Sequence, residues 1–277
     1  MKTSITTTFA LLFIMTFSAQ DFQGKAIYKT HRKLDFKFDD DKGGVELEMH
    51  KKMEAQWSKM FQKTFILVFD KTQSTYKEDI KLAAPAPQSG IGSVMIFGGG
   101  GKNDILYKNI KEHRFSNSTN IMGKPFLIKD TLLKMNWELS GETKNIGIYT
   151  CYKATSRREI EDIKISHENG ELKEEKVTET IITTAWYTTQ IPVSTGPREF
   201  VGLPGLILEI NDGKTTIICS EIELNSSEKI IIEEPQKGKE ISQKDFDILN
   251  NEKMKELMEN FHSKRGNGIG HEFPRGG

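Results

Sequence analysis

The chain has 277 residues, of which 36% are hydrophobic, so it can bury a substantial core in one large domain or two small ones. Its 39 basic residues balance its 39 acidic residues. Because nucleic-acid binders usually carry a basic excess, that class of protein is disfavoured.

The N-terminus has the pattern of a signal peptide. A short basic start is followed by an apolar run at residues 9–17, too short to span a bilayer, and by small residues at 18–20. We expect residues 1–20 to be removed near Ala19–Gln20 and the mature protein to be periplasmic or secreted. No Cys lies near the cleavage region and no later segment is long and apolar enough to span a membrane. We therefore expect neither a lipid anchor nor a membrane-spanning chain.

The first elements after the leader alternate between strand and helix patterns. Residues 23–33 mix polar and apolar side chains, including Ile27 and Tyr28, and residues 64–69 and 75–80 are β-branched and aromatic runs, which favours strands. Residues 45–61 place Met49, Met53 and Trp57 at spacings of four, on one face of a predicted helix that would lie across the sheet.

Residues 82–101 lack periodicity and contain prolines and a glycine run, which predicts a flexible loop. The glycines do not match a phosphate-binding loop, because Ile96 occupies the position of the required first glycine. From Ile105 onward, short strand patterns follow one another, and Asn169-Gly170 and Asp212-Gly213 are typical of hairpin turns.

This serial pattern predicts a mainly β, β-rich α+β fold with a single domain at residues 21–239. We expect an antiparallel meander forming an open half-barrel or a sandwich, with one helix across the sheet. A C-terminal helix is predicted at residues 240–264, capped by Ser242 with Asp245 three residues on. The Gly-rich tail at 265–277 is expected to be disordered.

One string is diagnostic of a family. Residues 202–210 read GLPGLILEI, and upstream blocks at residues 123–130, 137–139, 149–155 and 185–188 precede it in the expected order. The chain resembles the GLPGLI family, which implies an exported, β-rich protein of Bacteroidetes type. The biochemical role of that family is not established, and the resemblance brings no catalytic residues.

The string has a physical interpretation of its own. Pro204 and Gly205 suit the centre of a type II turn, in which Gly205 would take a positive φ. The following strand would form a hairpin in which Leu208 faces Ile217 and Leu206 faces Cys219. A packing and turn element is the favoured interpretation, and a binding loop is the alternative.

The candidate binding residues are aromatic, leucine and proline side chains near this string. Trp186, Tyr187, Phe200, Leu203 and Pro204 would form a ligand-binding rim if they meet at one end of the sheet. The alternative is that the aromatic residues are ordinary buried strand residues.

The two cysteines, Cys151 and Cys219, are the only thiols in the chain. Export would allow a disulfide between them, although an apolar strand face also suits an ordinary buried thiol. Thr131, in Asp130-Thr131-Leu132, resembles the short acceptor sequence for O-glycosylation in Bacteroidetes. A turn with a merely polar Thr is the alternative.

A soft metal site is conceivable on the C-terminal helix, because Met254, Met258 and His262 share a face and His271 follows. Packing of the methionines against the apolar stripe is the favoured interpretation, so no metal or cofactor is predicted.

No hydrolase or metalloprotease motif occurs in the sequence, and the histidines are scattered. The expected function is a non-catalytic periplasmic binding or accessory protein for an apolar or peptide-like ligand, linked to an outer-membrane uptake protein. The alternatives are a structural envelope-interaction protein without a small ligand and a hydrolase.

Overall fold

The computed structural model describes residues 22–32, 62–80, 104–168, 171–227 and 230–266. These residues form twelve strands and one helix, α1 (Gln243–Gly266). The strands are β1 (Gln23–Arg32), β2 (Lys63–Asp70), β3 (Gln73–Glu78), β4 (Ile105–Asn109), β5 (Arg114–Ile121), β6 (Lys124–Thr131), β7 (Glu138–Ile146), β8 (Tyr149–Glu168), β9 (Glu171–Thr188), β10 (Leu206–Asn211), β11 (Thr215–Leu224) and β12 (Lys239–Ile241).

All twelve strands belong to one sheet with the order β12-β6-β5-β4-β3-β2-β1-β11-β10-β9-β8-β7. On one side of β1, strands β2 to β6 follow in chain order, with β12 at the edge. On the other side, the order is β11, β10, β9, β8 and β7. Pairing of β1 with β11 joins these two halves. Every pairing is antiparallel except that of β12 with β6, which is parallel.

The predicted antiparallel half-barrel or sandwich is therefore wrong: the protein has one mixed sheet that is not closed. Strand β12 begins 15 residues after the end of β11 and pairs in parallel with β6, which is not its neighbour in the chain. Turn signals predict hairpins between neighbouring strands, but they carry no information about pairings between strands that are distant in sequence. The predicted helix at 45–61, the loop at 82–101, the leader and the tail beyond residue 266 lie outside the described residues.

The short connection from β6 to β7 shows that the open sheet bends strongly. In a flat sheet these strands, ten positions apart in the order, would be separated by about 48 Å. The six residues 132–137 that connect them reach at most about 25 Å when extended. The two ends of the sheet must therefore approach each other without pairing.

One face of the sheet, here called the core face, carries the main hydrophobic cluster. Strand residues such as Ala26, Leu67 and Ala185 pack there with side chains from residues 189–205, the connection between β9 and β10. We call this connection the signature loop. Its buried apolar residues are Ile191, Val193, Phe200, Val201 and Leu203. The loop is therefore part of the core and not a surface appendage.

A smaller cluster lies where α1 packs on β6. The rings of Phe126 and Phe246 meet edge to face at a centroid distance of 5.9 Å. The Ser242 hydroxyl accepts a hydrogen bond from the Asp245 amide at 3.1 Å, which caps the helix at its N-terminus. Across the described ranges, no helix is both long enough and apolar enough to be a candidate membrane span.

Candidate functional site

The signature loop ends at Gly205, whose backbone lies against the last residue of β9. A Cβ atom on Gly205 would lie 2.1 Å from the carbonyl oxygen of Thr188. The positive φ predicted for Gly205 is wrong, and Gly202 takes that conformation instead, with φ of 95°. Gly205 is thus needed for close backbone approach, whereas Gly202 is needed for its backbone conformation.

The hairpin that follows the loop differs in register from the prediction by two residues. Ile210 pairs with Ile217, and Asn211 pairs with Thr216. The turn is longer than two residues because the Asp212 carboxylate accepts hydrogen bonds from the amides of Lys214 and Thr215, at 3.0 and 2.6 Å. Since side chains alternate with period two, a shift of two keeps the apolar residues on the core face.

Polar side chains tie the signature loop to other strands. The hydroxyls of Ser74 on β3 and Thr195 in the loop are 3.0 Å apart. Lys108 Nζ on β4 donates hydrogen bonds of 2.7 Å to the carbonyl oxygens of Gly196 and Arg198. Trp137 Nε1 donates to the carbonyl oxygen of Val201 at 2.8 Å. The bonds from Lys108 and Trp137 give partners to three carbonyl oxygens of the loop.

Lys108 is the most unusual member of this group, because its exposed fraction is 0%. Burial lowers the pKa of Lys108 to about 7, while the negative charge of Glu199 acts in the opposite direction. In the described part of the chain no carboxylate forms an ion pair with it. The Tyr76 hydroxyl nearby on the core face is also buried, without a hydrogen-bond partner among the described residues, and burial raises the pKa of Tyr76.

The five predicted rim residues do not form one rim. Tyr187, Phe200 and Leu203 are buried in the main core, whereas Pro204 is exposed. Trp186 follows the alternation of β9 and so points to the face opposite Tyr187. Whether any of them binds a ligand stays a prediction.

On its own face, Trp186 contacts a charged cluster. The Lys144 ammonium lies 4.4 Å from the centroid of the Trp186 ring. The same ammonium forms a salt bridge of 2.7 Å with Glu209, whose backbone pairs with Trp186. This arrangement ties β7 to β9 and β10.

Lys108, Ser74 and Thr195 were not predicted from the sequence. A lysine or serine in a short strand usually marks a solvated face, and nothing in the local pattern reveals that a loop from 90 residues downstream covers it. For Lys108 and Ser74, the signal that could have identified them is a polar residue at a strand position that the alternation of side chains places on the core face.

The two cysteines are free and buried. Cys151 is on β8 and Cys219 on β11, with β9 and β10 between them. The structure therefore does not join them.

The remaining candidates lie near β6 and on α1. Thr131 is exposed at the end of β6, and the Asp130 carboxylate beside it accepts hydrogen bonds from the amides of Thr131 and Gln243. Met254 is half-buried, while the side chains of Met258, His262 and His271 lie outside the described residues. No group of three or more His, Cys, Asp or Glu side chains in the described ranges can hold a metal ion.

Among the described residues, strand β7 pairs on one side only, and apolar side chains near it are exposed. Leu139 is 62% exposed and Tyr152 on β8 is 37% exposed. Leu139 pairs with Ala154, which in turn pairs with the buried Ala185, so the core face continues to this edge. The hairpin from β7 to β8 carries Ile148 at its tip, 86% exposed.

Comparison with known proteins gives a family match over part of the chain and no activity. Residues 137–209, from the start of β7 through the signature loop into β10, match the family described as "Protein of unknown function (Porph_ging)". No curated protein gives a significant match.

The chain is also similar to two solved structures of PNGF-II, in space groups C2 and P21, at 12% sequence identity. The TM-scores are 0.47 and 0.48, with 84% and 83% of this chain covered. The chain spans about a third of the length of those structures, 32% and 33%.

Proposed function

We propose that the chain is a non-catalytic accessory protein that binds a peptide-like partner along the free edge strand β7. The observation that carries this proposal is the uncovered end of the core face, where Leu139 and Tyr152 stay exposed next to unpaired backbone. Exposed apolar side chains beside a strand edge suit an extended polypeptide, which gains backbone hydrogen bonds and side-chain contacts together.

The form of β7 limits which partners can add to it. Its pairing with β8 is interrupted between Leu139 and Thr143, and bulges and charges reduce unspecific pairing of sheet edges. The regular stretch from Thr143 to Ile146 remains for a partner strand, with Leu139 as a neighbouring apolar contact. Such an edge favours a specific partner over aggregation.

A small apolar ligand on the core face has less support. Phe200, Leu203 and Tyr187, which would have lined its site, already pack against the chain's own core. The filled core and the exposed edge are also compatible with the alternative, a structural envelope-interaction protein without a small ligand.

Site-specific photo-crosslinking in the native envelope tests the proposal. A photoreactive phenylalanine analogue replaces Leu139 or Ile148, and in the control it replaces Ile231, an apolar residue that is 71% exposed elsewhere. We expect one discrete adduct from positions 139 and 148 that is absent at 231 and is lost when Thr143→Pro disrupts the edge. Equal adducts at all three positions, or none at 139 and 148, would contradict the proposal.

We propose in addition that the chain is a GLPGLI family protein exported to the periplasm or the cell exterior, with an outer-membrane uptake protein as its partner. Residues 202–210 and the match over residues 137–209 support the family, and the pattern of residues 1–20 supports export.

A further inference from the structure

Lys108 holds the signature loop with an amine that is fully buried. Nζ donates hydrogen bonds to two carbonyl oxygens at 2.7 Å, those of Gly196 and Arg198. A neutral lysine amine has two N–H groups, and an ammonium has a third. Both forms can make the two bonds, but burial disfavours the charged form.

The groups that face Lys108 do not supply a compensating charge. Glu199 forms its salt bridge with Arg198, at 3.4 Å, so its carboxylate is shared with another cation. The remaining neighbours on the core face are uncharged: Ser74 and Tyr76 on β3, Thr195 in the loop, and Phe115, the register partner on β5. A charged amine at this position therefore loses hydration and gains only the two loop carbonyls, with no carboxylate in an ion pair with it among the described residues.

We propose that Lys108 is a proton-sensitive latch: its neutral amine fastens the signature loop to β4, and protonation loosens the loop and uncovers the core face beneath it. The latch sits at the middle of the loop, next to the uncharged tie between Ser74 and Thr195. Opening exposes Nζ to water, which supplies the third acceptor and hydrates the charge. The same movement releases Phe200 and Leu203, which are buried in the closed state.

The direction of the pH dependence follows from proton uptake. The closed loop lowers the pKa of Lys108 to about 7, and an open loop returns it toward 10.5. Between these values opening binds a proton, so it becomes more favourable as the pH falls. Below pH 7 both states are protonated and the dependence vanishes. The opening constant is expected to rise roughly tenfold from pH 9 to pH 8.

Hydrogen exchange of the β10 amides that donate to loop carbonyls measures this opening. The amides of Leu206 and Ile207 donate to the carbonyl oxygens of Ile191 and Thr195, at 3.0 Å each, so their protection reports loop closure. In the wild-type protein, protection corrected for intrinsic exchange should increase from pH 7 to pH 9 and stay level from pH 5.5 to pH 6.5.

Three variants separate the latch from simple packing. Lys108→Met should abolish the pH dependence. Thr195→Val removes the neighbouring uncharged tie, so it should lower protection equally at each pH and keep the slope. Glu199→Gln removes the charge that raises the pKa of Lys108, so it should move the midpoint to lower pH.

The Glu199→Gln variant keeps the latch residue itself, so the test survives if Lys108→Met does not fold. Wild-type protection that is independent of pH between 7 and 9 would overturn the proposal. An unchanged slope in Lys108→Met, or an unchanged midpoint in Glu199→Gln, would also overturn it. None of these outcomes depends on partner binding at β7, so the latch and the proposed function fail separately.

Discussion

Gly205 and Thr188 are in direct backbone contact, with the Thr188 carbonyl oxygen 2.1 Å from where a Cβ of residue 205 would lie. The contact joins the end of the signature loop to the end of β9, immediately before β10 pairs with it.

Gly205→Ala should lower the free energy of unfolding by about 1–3 kcal/mol, because backbone atoms must shift to admit a methyl group. Gly141→Ala is the matched control, since a Cβ there meets nothing within 4 Å and its φ is not positive. Urea unfolding of both variants measures the difference. Equal midpoints for Gly205→Ala and the control would contradict the packing role of the glycine.

The cysteines should behave as two separate buried thiols. Unreduced protein is expected to give two alkylatable thiols after denaturation and almost none in the native state at pH 8. Mass spectrometry after alkylation measures the number, and a denatured chain that resists alkylation without reductant would show that a disulfide forms after all.

The same thiols predict a loss of stability in alkali. Burial raises the pKa of Cys151 to about 11 and that of Cys219 to about 12. Because the folded state holds these protons more tightly, the stabilisation is complete below pH 9 and declines as the pH rises through 11. The double variant Cys151→Ala, Cys219→Ala should lose part of this alkaline decline in thermal unfolding. Identical pH profiles for variant and wild type would show that the thiols do not contribute.

Thr131 is exposed beside Asp130, so a modifying enzyme can reach its hydroxyl. We predict a glycan on Thr131 in protein isolated from its native envelope, and its absence in Thr131→Ala. A peptide map measures the added mass. Detection of only unmodified Thr131 would end this prediction.

Export should remove the leader near Ala19–Gln20. Intact-mass measurement of protein from the native envelope should give a chain that begins close to Asp21. A chain that retains Met1 would contradict both the cleavage and the proposed location.

The sequence predicted the β-rich composition because alternating and β-branched patterns are local properties. The sequence favoured a packing role for the signature loop, which the buried loop residues bear out, but it gave the wrong reason for Gly205. The turn chemistry of Pro204-Gly205 suggested a positive φ. Glycine is needed instead because the Thr188 carbonyl lies against residue 205. Trp186 and Tyr187 were assigned to one rim although neighbours on a strand face opposite ways.

The sheet architecture and the buried polar ties could not be predicted for a related reason. Pairing of β1 with β11 and contact of Lys108 with the loop join segments far apart in the chain, and single-sequence patterns do not record such contacts. A register shift of two residues in the β10–β11 hairpin is equally invisible, since it preserves the apolar face.

The central position of β1 has a consequence for how the protein folds. The residues that β1 pairs with lie far downstream; Ile27 and Ser220, joined by a hydrogen bond between these two strands, are 193 residues apart. Until β11 pairs with β1, the first half of the sheet therefore exposes an unpaired strand beside an unfinished core, and such an edge is prone to self-association.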